Sequence, residues 1–85
     1  MKLFLGDQAR ADIAYWNRRD KSKTLRIRAL IENIMRTPFE GMGKPEALKH
    51  DLHGKWSRRI DREHRLVYKV TEDAVTVISC RFHYE

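Results

Sequence analysis

Arginine is concentrated in one segment of the chain, residues 56–68, WSRRIDREHRLVY, where it alternates with apolar residues. This period-two alternation predicts β-strands, and a hairpin turning at residues 61–63 would place Arg59 directly across from Arg65. Like charges that face each other across a sheet weaken it. A phosphodiester would turn this repulsion into charge-assisted hydrogen bonds, because the guanidinium fork matches phosphate oxygens. The pair therefore predicts an anion site, and a solvated charged face is the alternative.

Two further residues could transfer protons beside such a site. His83, near the end of the chain, can donate or accept a proton near neutral pH. Glu46 lies in a polar connection and could serve as a base. The alternatives are a surface histidine and a salt bridge from Glu46 to a nearby lysine. With the two arginines, these residues supply what RNA cleavage by the 2′-hydroxyl needs: a base, cations for the phosphorane and an acid, with no metal or cofactor.

Metal ligation is weakly indicated by the sequence. His50 and His53 are three positions apart with Asp51 between them, but no cysteine completes a convincing set. The single cysteine, Cys80, lies in the apolar run VTVISCRF, which predicts a buried structural thiol. One cysteine allows no internal disulfide and fits a reducing cytoplasm.

The charge balance points to a polyanionic partner. The 85 residues include 18 Lys and Arg against 12 Asp and Glu, a net charge of +6. Such a surplus in a short chain favours nucleic acid, and a basic protein without such a partner is the alternative. The apolar stretch at the start, residues 3–5, is too short for a signal peptide or a membrane span. We expect one cytoplasmic domain over residues 1–85 and no membrane partner.

The elements that must position these residues follow from periodicity. A short strand at residues 3–5 should precede a helix at about residues 8–19, with Asp7 as its N-cap. A second helix is expected at about residues 22–35, stopped by Thr37-Pro38. Its apolar stripe consists of Ile27, Leu30, Ile31 and Ile34. The fold class predicted is α+β, with two N-terminal helices packed on a twisted antiparallel β-sheet.

Three strands are predicted after a long connection at residues 38–54, which could hold a short turn of helix or strand near residues 47–50. Three-residue turns would put Val70 across from Ala74 and Arg65 opposite Ser79. The core face then holds Trp56, Ile60, Leu66, Tyr68, Val70, Ile78, Cys80 and Phe82. The opposite face holds Ser57, Arg59, Arg65, Val67, Lys69, Val77, Ser79, Arg81 and His83.

The segments RTPFEGMGKPEALKHDLHGKWSRRIDREHRLVYKV and SCRFHY closely resemble the YoeB family of bacterial toxins, within the RelE superfamily. The likeness covers essentially the whole chain. It implies a RelE-like microbial ribonuclease fold and a type II toxin that cleaves mRNA in the ribosomal A site, without a metal and through a 2′,3′-cyclic phosphate.

The resemblance also implies partners. These are the 70S ribosome with its mRNA, and an acidic, YefM-like antitoxin whose disordered C-terminal segment folds over the toxin. Operator DNA would be contacted only through the antitoxin complex. We also expect that the toxin can form a homodimer.

The family's functional residues can be carried over to positions of this chain. The resemblance implies Glu46 as general base and His83 as general acid, while Arg65 and Arg59 hold the scissile phosphate and stabilise the transition state. The residues implied to orient the RNA and the proton-transfer groups are Lys49 and Tyr84.

Two departures from the family pattern are visible. Glu85 extends the chain beyond the tyrosine at which relatives commonly end, and its carboxylates would compete with phosphate if they entered the site. Phe82 stands where tyrosine is common, and we expect it in the core.

Two other functions remain alternatives at this point. One is a nucleic-acid-binding module without catalysis, such as a co-repressor on operator DNA, which the basic surface alone would support. The other is a superfamily relative that poisons DNA gyrase. The pairing of Glu46 with His83 argues against the second, because that activity needs no acid and base for RNA.

Overall fold

The computed structural model describes residues 1–82, which form two helices and five strands. In chain order the elements are β1 (Lys2–Leu5), α1 (Asp7–Arg19), α2 (Lys21–Arg36), β2 (Glu46–Ala47), a 3₁₀ turn (His50–Leu52), β3 (Lys55–Arg59), β4 (Arg65–Val70) and β5 (Ala74–Ser79). The strands form one sheet in the order β1-β5-β4-β3-β2. The α+β class is confirmed. Within residues 1–82, no helix has the length and apolar character needed to cross a membrane.

The sheet is mixed, whereas the sequence predicted an antiparallel one. Strands β2 to β5 pair antiparallel, but β1 runs parallel to β5 at the opposite edge from β2. The direction of an edge strand depends on the path of the chain between it and its neighbour. That path includes both helices here, so the residues of β1 themselves did not reveal its direction.

Both helices begin close to their predicted positions, but the first cap differs. Gly6 is the N-cap of α1 and makes no side-chain cap bond, while Asp7 lies in the first turn. There its carboxylate still favours the helix, because the N-terminal end carries partial positive charge. Asp20 caps α2 by accepting a hydrogen bond from Ser22 N at 3.0 Å. The predicted end of α2 before Pro38 is confirmed.

The β3–β4 hairpin has the predicted register. Arg59 pairs with Arg65, and Ile60 N donates to His64 O at 2.9 Å. The two arginines of the predicted anion site therefore face each other across neighbouring strands.

The β4–β5 register differs from the prediction. Val70 pairs with Val75 instead of Ala74, and Ser79 pairs with Val67, two residues along β4 from its predicted partner. The first shift comes from a turn of two residues, 72–73, in place of the predicted three. A bulge in which Ile78 is the extra residue of β5 adds the second shift. Each one-residue shift reverses which side chains of β5 face the core, and a strand with apolar residues at adjacent positions does not reveal where a shift falls.

The core lies between the two helices and one face of the sheet. Its buried members are Ala9, Trp16, Ile27, Leu30, Ile34, Ile60, Leu66, Tyr68, Val75, Val77 and Cys80. The predictions for Ile60, Leu66, Tyr68 and Cys80 are thus confirmed, while Trp56 and Val70 are partly buried against the core. Because the turn is one residue shorter than predicted, the core contains Val77, which was expected on the other face, and not Ile78. The bulge after Val77 then returns Cys80 to the core side, as predicted.

The prediction that Phe82 belongs to the core is wrong. Its side chain is 56% exposed, and its backbone has a φ of 66°. This left-handed conformation bends the chain after β5 and turns the ring out of the strand's alternation.

Candidate active site

Three of the predicted site residues lie on the face of the sheet opposite the helices. Residues directly paired in a ladder point to the same side, so Arg59 and Arg65 share this face, while their neighbour Leu66 points into the core. Glu46 pairs with Ser57, two residues before Arg59. Glu46 and Arg59 are therefore diagonal neighbours, a relationship that separates Cα atoms by about 7–8 Å.

Arg65 is held by the turn between β3 and β4. It is 9% exposed, and its Nη1 donates to the backbone oxygens of Asp61 at 2.9 Å, His64 at 3.1 Å and Arg62 at 3.4 Å. Its Nε and Nη2 donate to no other residue within 1–82. One edge of the guanidinium is thus fixed by the protein, and the other can bind an anion. A cation this far out of water favours such a partner.

Asp61 stabilises the turn that holds Arg65. Its Oδ1 accepts from the backbone N–H groups of Glu63 at 2.8 Å and His64 at 2.6 Å, and its Oδ2 pairs with Lys23 Nζ at 2.8 Å. Burial raises the pKa of this carboxyl, but the hydrogen bonds from Lys23 and from the two N–H groups outweigh it and lower the pKa to about 2. Asp61 is therefore ionised at neutral pH and ties the turn to α2.

Arg59 has an exposed side chain on a fixed backbone. Its N–H donates to Gly43 O at 2.7 Å, and its carbonyl accepts from Arg26 Nη2 at 3.1 Å. Gly43 has a φ of 77°, and a Cβ there would lie 2.9 Å from Leu30 Cδ2 and 3.1 Å from Arg59 O. The end of β3 is therefore locked to the loop before β2 at a point where only glycine fits.

Glu46 and Lys49 are both exposed at the β2 edge of the sheet. Pairing of β2 with β3 extends one residue further, since Leu48 N donates to Lys55 O at 2.9 Å. Glu46 forms no salt bridge with any residue of the described range 1–82, so the alternative of a carboxylate paired to a neighbouring lysine is not realised there. Lys49 directly precedes the 3₁₀ turn, and its contact with RNA remains a prediction.

The remaining predicted site residues, His83 and Tyr84, lie outside the described residues, as does Glu85. Their roles therefore remain predictions. The structure does describe the segment that leads to them, residues 80–82.

That segment is hydrogen-bonded at both ends. At its start, two residues of α1 bind Cys80: Asp12 Oδ2 accepts from Cys80 N at 2.8 Å, and Trp16 Nε1 donates to Cys80 O at 2.8 Å. Phe82 N donates to His64 Nδ1 at 2.9 Å, and Phe82 O accepts from the first N–H of β4 at 2.9 Å. Asp12, Trp16 and His64 thus hold the backbone just before the predicted general acid.

Arg81 lies on the helix side, which corrects its predicted place on the opposite face of the sheet. Its guanidinium carbon lies 3.6 Å from the ring centroid of Tyr15 on α1 and 4.5 Å from that of Phe82. Cation–π stacking of this kind accounts for its position on the helix side.

Sequence reasoning missed Arg58, which is fully buried on the core face of β3. The signal was present in the alternation, because Arg58 occupies the core-facing position between Trp56 and Ile60. His64 was also missed, since its role depends on a ring nitrogen that accepts a hydrogen bond from a segment 18 residues away.

No group of three His, Cys, Asp or Glu side chains within residues 1–82 is placed to hold a metal ion. Cys80 is fully buried, and burial together with the nearby Asp12 carboxylate raises the pKa of its thiol to about 12. The predicted structural thiol is therefore confirmed by its burial, and a thiolate nucleophile at this position is disfavoured.

A family model described as the YoeB-like toxin of bacterial type II toxin–antitoxin systems matches residues 5–84. The chain belongs to the YoeB toxin family. It is 52% identical to the toxin YoeB of Escherichia coli (strain K12) over 84 residues, which cover 99% of this chain and 100% of that protein. The predicted resemblance is confirmed, and the chain is the toxin of a type II toxin–antitoxin system.

Solved structures of YoeB proteins share this fold. The YoeB/ParE toxin from Agrobacterium tumefaciens is 49% identical, with a TM-score of 0.95 over 99% of this chain and 100% of that one. The Staphylococcus aureus YoeB dimer is 41% identical, with a TM-score of 0.91, and the heterotetrameric YoeB–YefM complex from the same organism gives 0.89. Both cover 99% of this chain and 98% of the other.

Proposed function

We propose that this YoeB-family chain is an endoribonuclease that cleaves mRNA in the ribosomal A site. The 2′-hydroxyl of the message attacks the adjacent phosphate and leaves a 2′,3′-cyclic phosphate, and the step requires no metal. The observation that carries the proposal is that Glu46, on the face of the sheet opposite the helices, is the diagonal neighbour of Arg59, which in turn faces Arg65. A base and two cations are thereby available to one phosphodiester.

The two arginines have different roles in this proposal. Arg65 is nearly buried and fixed by three carbonyl oxygens, so it needs little reorganisation to stabilise the charge that develops on the phosphorane. Arg59 has an exposed side chain and can reach along the backbone of the message. We therefore assign transition-state stabilisation mainly to Arg65 and binding of the phosphate mainly to Arg59.

Glu46 accepts the proton of the 2′-hydroxyl in this mechanism. Its side chain is exposed in the toxin, where water surrounds the carboxylate. Removal of that water strengthens a carboxylate as a base. Docking into the A site would bury it, which supports a requirement for the ribosome.

His83 protonates the departing 5′-oxygen, and Lys49 and Tyr84 orient the RNA and the proton-transfer groups. These assignments rest on the family resemblance. For His83 they are supported by its place in the chain directly after Phe82, whose carbonyl accepts from Arg65 N. The general acid thus follows a residue that is hydrogen-bonded to Arg65, to which we assign transition-state stabilisation.

A message with a single 2′-deoxynucleotide at the cleavage site tests the proposal directly. Primer extension on translating ribosomes should show new 5′ ends in the A-site codon of the all-ribose message and none on the deoxy message. Cleavage of the deoxy message would exclude attack by the 2′-hydroxyl. Absence of new 5′ ends on both messages would support the alternative of a nucleic-acid-binding module without catalysis. Loss of DNA supercoiling in a gyrase assay would favour the gyrase-targeting alternative.

We further propose that a YefM-like antitoxin neutralises the toxin in the cytoplasm and carries any contact with operator DNA. Support comes from the S. aureus YoeB–YefM complex and from the net charge of +6, which suits an acidic partner. The S. aureus YoeB dimer supports a homodimer for this chain as well. Co-expression with a YefM-like antitoxin should give a complex without A-site cleavage.

A further inference from the structure

Arg58 is fully buried, yet no carboxylate within residues 1–82 accepts a hydrogen bond from it. A buried cation without an anion is costly unless other polar groups satisfy its donors. In this protein backbone carbonyls provide most of that compensation, and all of them belong to one loop.

The loop between α2 and β2 wraps around the Arg58 guanidinium. Nη2 donates to Thr37 O at 2.6 Å and to Glu40 O at 3.0 Å, and Nη1 donates to Met42 O at 3.1 Å. A side chain on β3 thus fixes three carbonyls from six consecutive residues of the loop.

Two further side chains, from α2 and β4, strengthen the same connection. Asn33 Oδ1 accepts from Arg58 Nη1 and from Met42 N, the latter at 3.0 Å. Tyr68 OH accepts from Arg58 Nε at 3.1 Å and donates to Pro38 O at 2.6 Å. Burial raises the pKa of Tyr68, against the opposing effect of Arg58, so its hydroxyl keeps the proton that it donates.

The loop in turn determines where β2 lies. β2 is an edge strand of only two residues and has little ladder of its own, while Gly43 O accepts from Arg59 N at 2.7 Å just before it. Since Glu46 is the first residue of β2, its position depends on the loop that Arg58 fixes.

We infer that Arg58 is a positioning residue for Glu46. It touches no substrate. It acts by holding loop 37–43, so that Glu46 stays the diagonal neighbour of Arg59, which faces Arg65. The inference rests on the proposed function, in which Glu46 is the general base. It gives the buried arginine a catalytic consequence beyond core stability.

A double-mutant cycle separates this role from a purely structural one. Arg58→Lys keeps a buried cation but has only three donors on one nitrogen, so it cannot satisfy the same set of carbonyls. We expect Arg58→Lys to slow single-turnover A-site cleavage by about tenfold to a hundredfold, the usual effect of misplacing a catalytic group by about 1 Å. Toxin binding to ribosomes should change little.

The deciding arm combines this change with Glu46→Gln. If Arg58 acts through Glu46, Arg58→Lys should slow the Glu46→Gln variant by less than about twofold, because coupled residues give non-additive effects. Equal slowing in both backgrounds would overturn the inference while leaving the proposed base intact. Full activity of Glu46→Gln alone would instead overturn the proposed base, and the inference with it.

A second pair of variants covers the case in which Arg58→Lys does not fold. Asn33→Asp keeps an acceptor for Arg58 and Met42, whereas Asn33→Leu removes it from the same position. Asn33→Asp should cleave near the parental rate, whereas Asn33→Leu should be slowed as much as Arg58→Lys. When Glu46→Gln is already present, Asn33→Leu should cause no further slowing. Equal rates for the two variants, or a fall that persists on that background, would contradict a positioning role.

Discussion

Arg59 and Arg65 face each other across the β3–β4 hairpin, on the side of the sheet that the helices do not cover. The Arg65 guanidinium is held by hydrogen bonds to carbonyl oxygens of the turn, whereas the Arg59 side chain is exposed to solvent. Facing like charges destabilise a hairpin. The pairing therefore supports the proposed anion site, which would come at some expense of stability.

Arg59→Gln should stabilise the protein and weaken its activity. Relief of the facing charges should raise the free energy of unfolding by about 0.2–1 kcal/mol, measured by urea denaturation at low salt. The gain should shrink as salt rises, because salt screens the repulsion. The rate of A-site cleavage by the same variant should fall, and it should fall further when the ribosome concentration is below saturation. A variant that is less stable than the parent at low salt would contradict the proposed repulsion.

Gly43→Ala should be strongly destabilising, and Gly54 provides its matched control. Both glycines have positive φ, 77° and 90°, but a Cβ on Gly54 meets nothing within 4 Å. Gly54→Ala should therefore cost about 1–2 kcal/mol of strain alone, and Gly43→Ala clearly more, because its Cβ crowds Leu30 and the Arg59 backbone. Thermal unfolding measures both. Equal losses would show that the close contacts at Gly43 are absent in solution.

Asp61 should make stability depend on pH in the acid range. Its pKa is about 2 in the folded protein against its ordinary value of 3.8, so the ionised form stabilises the fold. This contribution, at most about 2 kcal/mol, is complete above pH ~4 and is lost as the pH falls towards 2. Urea unfolding across that range should show a slope that Asp61→Asn reduces. An unchanged slope in Asp61→Asn would contradict the Lys23–Asp61 interaction.

His64 should affect cleavage through the segment before His83, the proposed general acid. Asn at this position can place Oδ1 where His64 Nδ1 accepts from Phe82 N, whereas Leu provides no acceptor. We expect His64→Asn to keep most of the A-site cleavage rate and His64→Leu to lose about tenfold or more. Circular dichroism should show both variants folded at the assay temperature. Similar rates for the two would show that the hydrogen bond does not position the acid.

The sequence was sufficient to predict the facing arginines and insufficient for the strand that follows them. Residues 61–63 form a short polar turn between clearly alternating strands, so only one register buries Ile60 and Leu66. In β5 the run AVTVIS is apolar at successive positions, and either phase can fill the core. The two-residue turn and the bulge at Ile78 were therefore not predicted, and neither was the core position of Val77. Arg81 lies beyond the end of β5, where the alternation of a strand no longer applies.

The supporting residues of the site could not be predicted for a different reason. Arg58 was an arginine at a core-facing position, but its acceptors are loop carbonyls whose location depends on the folded path of residues 37–42. Asp12 and His64 likewise bind backbone groups far along the chain. Alternation and helical periodicity describe which face a side chain occupies, and they do not describe what a distant loop presents to it.

The most direct test of the catalytic arrangement compares A-site cleavage by Glu46→Gln, Arg65→Lys and His83→Gln with the parental chain, by primer extension under single-turnover conditions. Lysine at position 65 keeps the charge, and glutamine keeps the shape at the other two positions, so all three proteins should fold. We predict losses of about a hundredfold or more for each, since each removes a proton-transfer group or a preorganised cation. Parental rates in Arg65→Lys and His83→Gln, with the proteins folded and bound to ribosomes, would contradict this account of the active site.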